Sequence, residues 1–208
     1  MRLNTNKCKV MRISHRSANE NLIPYNISGS LLEQVTTYKY LGVHITANLS
    51  WQADVDYIVN NANRMLGYLR RNFSMAPSSS KLLLYKTLVR SKLEYACTVW
   101  DPGLETLTNQ LESVQNRSAR FILSNFSRTA SVTTMKNTLN LPSLSLCRKL
   151  ARILTFHKIY YHNHQLKRDL LFEPSFISPR TNNRHKVRIP YCLSNAYFNS
   201  FIPKTASD

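Results

Sequence analysis

The stretch Tyr38-Lys39-Tyr40-Leu41-Gly42-Val43-His44-Ile45, followed at once by Asn48-Leu49-Ser50-Trp51, limits what this chain can fold into more than any other. Tyr38, Tyr40, Val43 and Ile45 favour a pleated, half-buried strand, and Gly42 lets another backbone or a ligand come close. Short strand-like runs precede it. Lys7 to Ser14 carries Cys8, Val10, Met11 and Ile13, and Arg16 to Asn21 is polar loop. Ile23 to Ile27 and Leu31 to Val35 flank Ser28-Gly29-Ser30, a hairpin-type punctuation. Three or four such strands are too few and too short to close a core alone. Helical periodicity takes over directly behind them, and a switch of this kind predicts an α+β fold in which a sheet edge leads into a helical subdomain.

Ser50 is placed to cap the first helix, with Asp54 and Asp56 in its first turns, where the helix dipole favours anions. Val55, Ile58, Ala62, Met65 and Leu69 recur at three and four, and Arg64, Arg70 and Arg71 fall off that stripe. Leu82, Tyr85, Val89, Leu93, Ala96 and Trp100 predict one long helix over 80–100, stopped by Asp101-Pro102-Gly103, with Lys81, Lys86, Arg90 and Lys92 at other positions. Leu107, Leu111, Val114, Phe121 and Ile122 predict a third, with its register broken at Ser118. Val132, Met135 and Leu139 mark a short helix. After Pro142, Leu146, Leu150, Ile153, His157 and Tyr160 line one side of another, with Arg148, Lys149, Arg152 and Lys158 elsewhere. Beyond Tyr161 periodicity fails, and a basic remainder rich in proline and aromatics reads as partly ordered chain. The expected division is 1–50, 51–161 and 162–208.

Charge sorts the partners. Twenty-eight Lys and Arg against 11 Asp and Glu leave +17, with a pI near 10.0. The basic residues are spread along the chain, so the whole body is cationic and attracts polyanions, nucleic acid above all. No single basic amphipathic helix demands a membrane surface. Cys8, Cys97, Cys147 and Cys192 stand far apart without the spacing of a zinc module and read as reduced thiols in an intracellular protein, nuclear or cytoplasmic. His162-x-His164 reads as a solvated turn. The N-terminal residues have no apolar core for a secretory signal, and no run approaches the ~18 residues of a membrane span.

Several motifs come in a telling order: Leu3-Asn4-Thr5-Asn6-Lys7-Cys8-Lys9-Val10-Met11, Tyr40-Leu41-Gly42-Val43, Ala62-Asn63-Arg64-Met65-Leu66-Gly67, Leu93-Glu94-Tyr95-Ala96 with Val99-Trp100-Asp101-Pro102, and Leu111-Glu112-Ser113-Val114-Gln115. Together they resemble the end of the reverse transcriptase of LINE-type (non-LTR, jockey-like) retrotransposons. Asn199-Ser200-Phe201-Ile202-Pro203-Lys204-Thr205 is similar to the Ser-Phe-Phe-Pro-Arg-Thr segment near the end of such polyproteins. The resemblance implies a small antiparallel β remnant of the polymerase palm, a mainly helical thumb-like bundle and an irregular C-terminal tail, in a chain truncated at both ends. Upstream palm and fingers would then be a partner.

Nucleotidyl transfer needs two metal ions held by converging carboxylates. The family supplies them with a Tyr-Ala-Asp-Asp turn and an upstream aspartate, and binds Mg2+ there. Neither motif occurs among these residues, and Asp54-x-Asp56 diverges on a helix. The chain alone is therefore expected to be inactive as an RNA-directed DNA polymerase and to hold no cofactor. What the resemblance leaves is binding. Tyr40, Leu41 and Gly42 match the primer-grip strands. Lys7 matches the lysine of an Asn-x-x-Lys segment, the general acid for the leaving pyrophosphate in related polymerases, although Cys8 stands where threonine is more usual. Arg64, Arg70, Arg71, Lys86 and Arg90 fall on the matched thumb helices, whose cationic side tracks template–primer phosphates. The expected partner is RNA or an RNA–DNA duplex. A degenerate transposon remnant without activity, and a recruited basic helical adaptor for an acidic protein, are the alternatives.

Overall fold

The segment around Tyr40 forms a hairpin and the 3.6-period segments behind it form helices, in a computed structural model that describes residues 4–13, 24–174, 176–178, 180 and 186–208. The fold is mixed α+β, mostly helical with a few short strands. It divides into two compact units, Met1–Asp54 and Val55–Asp208. Ser14, the loop Arg16 to Asn21, Ile23 and Arg184 lie outside the described residues.

In the first unit a 3-10 turn, Thr5–Lys7, precedes β1 (Lys9–Val10). β2 (Asn26–Ile27) and β3 (Ser30–Leu31) form a hairpin through Ser28 and Gly29, both at positive φ. β4 (Glu33–Gln34) pairs with β1 in parallel, so the expected all-antiparallel arrangement does not form. The long connection between β1 and β4 is what permits parallel pairing. Val35 N–H donates to Val10 C=O at 2.9 Å, and Lys9 meets Glu33 across the pair.

β5 (Thr37–Tyr40) and β6 (Val43–Thr46) make the longest ladder, antiparallel, with Tyr40 opposite Val43. Leu41 (φ 46°) and Gly42 (φ 88°) are its two-residue loop. Positive φ at both central residues is the mark of a type I′ turn, whose twist suits the flanking strands. Gly42 is thus a turn glycine, not the strand glycine of the sequence reading.

The change from strand to helix is written in side-chain hydrogen bonds. Asn48 Oδ1 accepts from Thr46 Oγ1 at 2.8 Å and from Ser50 N–H at 3.0 Å. Ser50 Oγ then accepts from Gln52 N–H at 3.3 Å, where α1 (Gln52–Asn72) begins. Asp54 stands in the first turn of α1, as expected. It is buried, accepts from His44 N–H at 2.8 Å and lies 3.3 Å from His44 Nδ1.

In α1 the buried stripe is Val55, Ile58, Ala62, Leu66 and Leu69, with Leu66 in the place expected for Met65. The next helix differs from expectation. α2 (Ser78–Leu84) runs into a π-helical segment, Tyr85–Arg90, and then α3 (Ser91–Glu94), and the helix ends there, short of residue 100. Lys81, Tyr85, Val89 and Leu93 are all buried, a strict step of four. A step of four drifts off one face of an α-helix, and the wider π turn keeps it in line. Lys81, not Leu82, joins the buried face. Its ammonium donates to Ser124 Oγ at 2.8 Å and lies 5.2 Å from the centre of the Phe121 ring.

α4 (Glu105–Ile122) is continuous through Ser118, so the expected break is absent. Ser118 is buried, and its hydroxyl donates to Val114 C=O at 2.8 Å, which lets a polar residue stay on the core face. Gln115 is buried too, accepting from Tyr85 O–H at 2.8 Å and donating to Pro142 C=O at 2.9 Å. Burial pushes the Tyr85 phenol up, so it stays a donor.

α5 (Val132–Thr138) is capped by Ser131, and α6 (Leu144–His162) by Ser143. α6 is turned the other way from its expected orientation. Arg148 and Arg152 are 1% and 3% exposed, whereas Leu146, Leu150 and Ile153 are 47%, 49% and 39% exposed. The reason is Asp101, which draws both guanidinium groups inward. α7 (His164–Leu170) follows. Of the remainder expected to be loose, α8 (Asn195–Phe198) and α9 (Phe201–Ser207) are helical, and α9 packs on α6. Gly103 (φ 66°) is where the 101–103 turn meets this end of the chain: a Cβ there would lie 2.5 Å from Asn199 Oδ1.

Candidate nucleic-acid interface

α1 presents its cations in a specific pattern. With roughly 100° between successive residues, Tyr57, Asn60, Arg64, Tyr68 and Arg71 fall within about 80° of arc. All five are exposed, on the side away from Val55, Ala62 and Leu69. The sequence reading singled out the two arginines and missed the two tyrosines, although their spacing of three and four was there to be read. Arg70 is exposed but leaves this face and stacks on the Phe126 ring, 5.4 Å from its centre.

Lys86 lies on the exposed side of the π-helical segment. Arg90 is committed inside the unit. Its Nε donates to Glu94 at 2.8 Å and its Nη2 to Cys147 Sγ at 3.0 Å. Burial alone would pull this guanidinium down; the Glu94 hydrogen bond and charge reverse that and hold it protonated more firmly than usual. Of the five cations expected to track phosphates, Arg64 and Arg71 share a face, Arg70 and Lys86 stand elsewhere on the surface, and Arg90 is held by Glu94.

Lys7, Tyr40, Leu41 and Gly42 belong to the other unit. Lys7 is exposed at the end of the 3-10 turn, and Tyr40 and Leu41 are 58% and 74% exposed at the β5–β6 turn. Val43, next in the chain, is buried.

A second constellation has no counterpart in the sequence reading. Asp101 accepts from Arg148 Nε at 3.1 Å, pairs with Arg152 and lies 3.0 Å from Lys204 Nζ. Asp208 bridges Arg152 and Lys149. Four cations thus surround two carboxylates, and Arg148 Nη1 and Arg152 Nε are buried without a hydrogen-bond partner among the described residues. Lys204 reports the imbalance. Burial first, then the Arg152 charge, pull its ammonium down to about 8 against the opposing pull of Asp208. The Asp101 carboxylate is shared with two arginines and does not restore it. These residues tie α6 and α9 to the turn after α3, and the arrangement reads as structural.

The donor set for Mg2+ does not fit. No group of three or more His, Cys, Asp or Glu side chains converges among the described residues, and Asp54 is turned onto His44. No step of catalysis is therefore assigned to a metal here. No described helix is long and apolar enough to cross a membrane.

Compared with protein families, with curated proteins and with solved structures, the chain matches none.

Proposed function

We propose that this chain is the palm-end and thumb part of a LINE-type reverse transcriptase, and that it binds RNA or an RNA–DNA duplex through phosphates without reading sequence. The observation that carries the reading is the α1 face, where Arg64 and Arg71 alternate with Tyr57 and Tyr68 on an exposed helix side. Arginines supply phosphate contacts, and aromatic rings beside them supply sequence-tolerant stacking at unpaired ends. The net charge of +17 adds a long-range attraction to polyanions. Chemistry falls to residues outside this sequence. Lys7 and the Tyr40-Leu41-Gly42 turn are assigned, by the ordered motifs that carry them, to the end of the palm.

Titration of the 208-residue chain with an RNA–DNA duplex at rising salt tests this. The expected result is a linear log–log loss of affinity, steepening by about 0.9 for each phosphate neutralised, taking the duplex-DNA value. Equal affinity for duplexes of unrelated sequence is also expected. A flat salt response overturns the reading.

A further inference from the structure

α6 carries a surface that nothing in the nucleic-acid reading uses. Leu146, Leu150, Ile153, Leu154, His157 and Tyr161 lie within about 100° of arc, opposite the buried Arg148 and Arg152, and all are exposed. Leu146, Leu150, Ile153 and His157 alternate steps of four and three, the spacing of a seam that receives another helix. A continuous apolar strip of this length is uncommon on a soluble surface and marks an interaction site. Near its C-terminal end the strip is concave, a cleft of about 230 Å³ walled by Ile153, Phe156 and the Tyr160 and Tyr161 rings. Such a cleft seats a protruding side chain, which a bilayer does not offer.

The rim decides the occupant. Lys158 flanks the strip on one side; on the other, where Lys149 is already paired with Asp208, Lys167 lies 3.7 Å from the centre of the Tyr160 ring at the edge of the cleft, and no Asp or Glu occurs between Glu112 and Asp169. A second copy of this chain would bring lysines against lysines, a repulsive pairing. We propose that the exposed face of α6 docks an acidic amphipathic helix of a protein partner, its apolar side on Leu150 and Ile153 and its carboxylates toward Lys158 and Lys167. This surface is separate from the α1 face, so the two readings stand or fall independently.

The test uses the whole chain and a labelled three-heptad peptide with leucine at the seam positions and glutamate around them. Two counterparts control for charge and apolarity: one with serine in place of leucine, one with lysine in place of glutamate. Saturable binding of the leucine–glutamate peptide, at least tenfold tighter than either counterpart, is expected. Leu150→Asp and Ile153→Asp should each weaken it at least tenfold, with unchanged urea midpoints and unchanged RNA–DNA affinity. Equal binding of the serine peptide would reduce the effect to net charge and overturn the proposal. So would unaltered binding by both variants, or sedimentation with phosphatidylserine vesicles that Leu150→Asp abolishes while the peptide fails to bind.

Discussion

Asp101 is the residue on which the charge of the helical unit turns, because Arg148, Arg152 and Lys204 all converge on it. Removing one partner of a buried pair leaves an uncompensated charge, typically a loss of about 3–5 kcal/mol. Asp101→Asn is therefore expected to lower unfolding stability by roughly that amount in urea titration. Lys204 gives a pH signature. Its ammonium titrates at about 8 in the fold and at 10.5 when unperturbed, so between those values the unfolded chain holds the extra proton. Stability contributed by this lysine is then absent below pH 8 and grows as pH rises towards 10.5. Tyr85, Cys97 and Cys147, all shifted up by burial, act with the opposite sign. The difference in unfolding free energy between the parent and Lys204→Met isolates the lysine, and it should rise over that window. A constant difference contradicts the assignment. Little of this network was legible in the sequence: Arg148 lies 47 residues from Asp101, Lys149 and Arg152 lie 59 and 56 from Asp208, and only Lys204 stands within a helical turn of Asp208.

At the scale of elements, amphipathic spacing predicted that helices form but not always which way they face. In α1 the buried stripe and the cationic side were both readable, apart from the exchange of Met65 for Leu66. In α6 the same kind of pattern misled. Spacing shows that Leu146, Leu150 and Ile153 share a side, and only the distant Asp101 decides that the arginine side is covered instead. Between α2 and α3 the error was one of period, because a step of four was read as 3.6 and the helix extended to Trp100. A direct comparison checks the π register. Leu93, fully buried, should cost about 2–5 kcal/mol when changed to alanine. Leu83, 63% exposed, should cost no more than about 0.5 kcal/mol. Equal losses would mean that the face is misassigned. The hairpin shows a further limit: alternation located β5 and β6, but the turn at Leu41 and Gly42 depends on backbone angles that residue type only suggests.

For the whole molecule, composition fixed the sign and size of the charge, and the fold decides where it acts. Arg90, Arg148 and Arg152 are held by Glu94, Asp101 and Asp208, which draws them away from the outer surface, while Arg64 and Arg71 remain outside on the same face as Tyr57 and Tyr68. A polyanion is expected to meet that face first. The ordered motifs, from Lys7 through Tyr40-Leu41-Gly42 to Trp100-Asp101-Pro102, belong to the same proposal, and an assay of binding is where it can fail. The most direct measurement is the salt dependence of RNA–DNA duplex binding by the parent chain and by Arg64→Ala/Arg71→Ala. Loss of two phosphate contacts should make the log–log slope shallower by about 1.8 and weaken binding alike for unrelated sequences. An unchanged slope in the double variant would contradict the α1 face as the nucleic-acid surface.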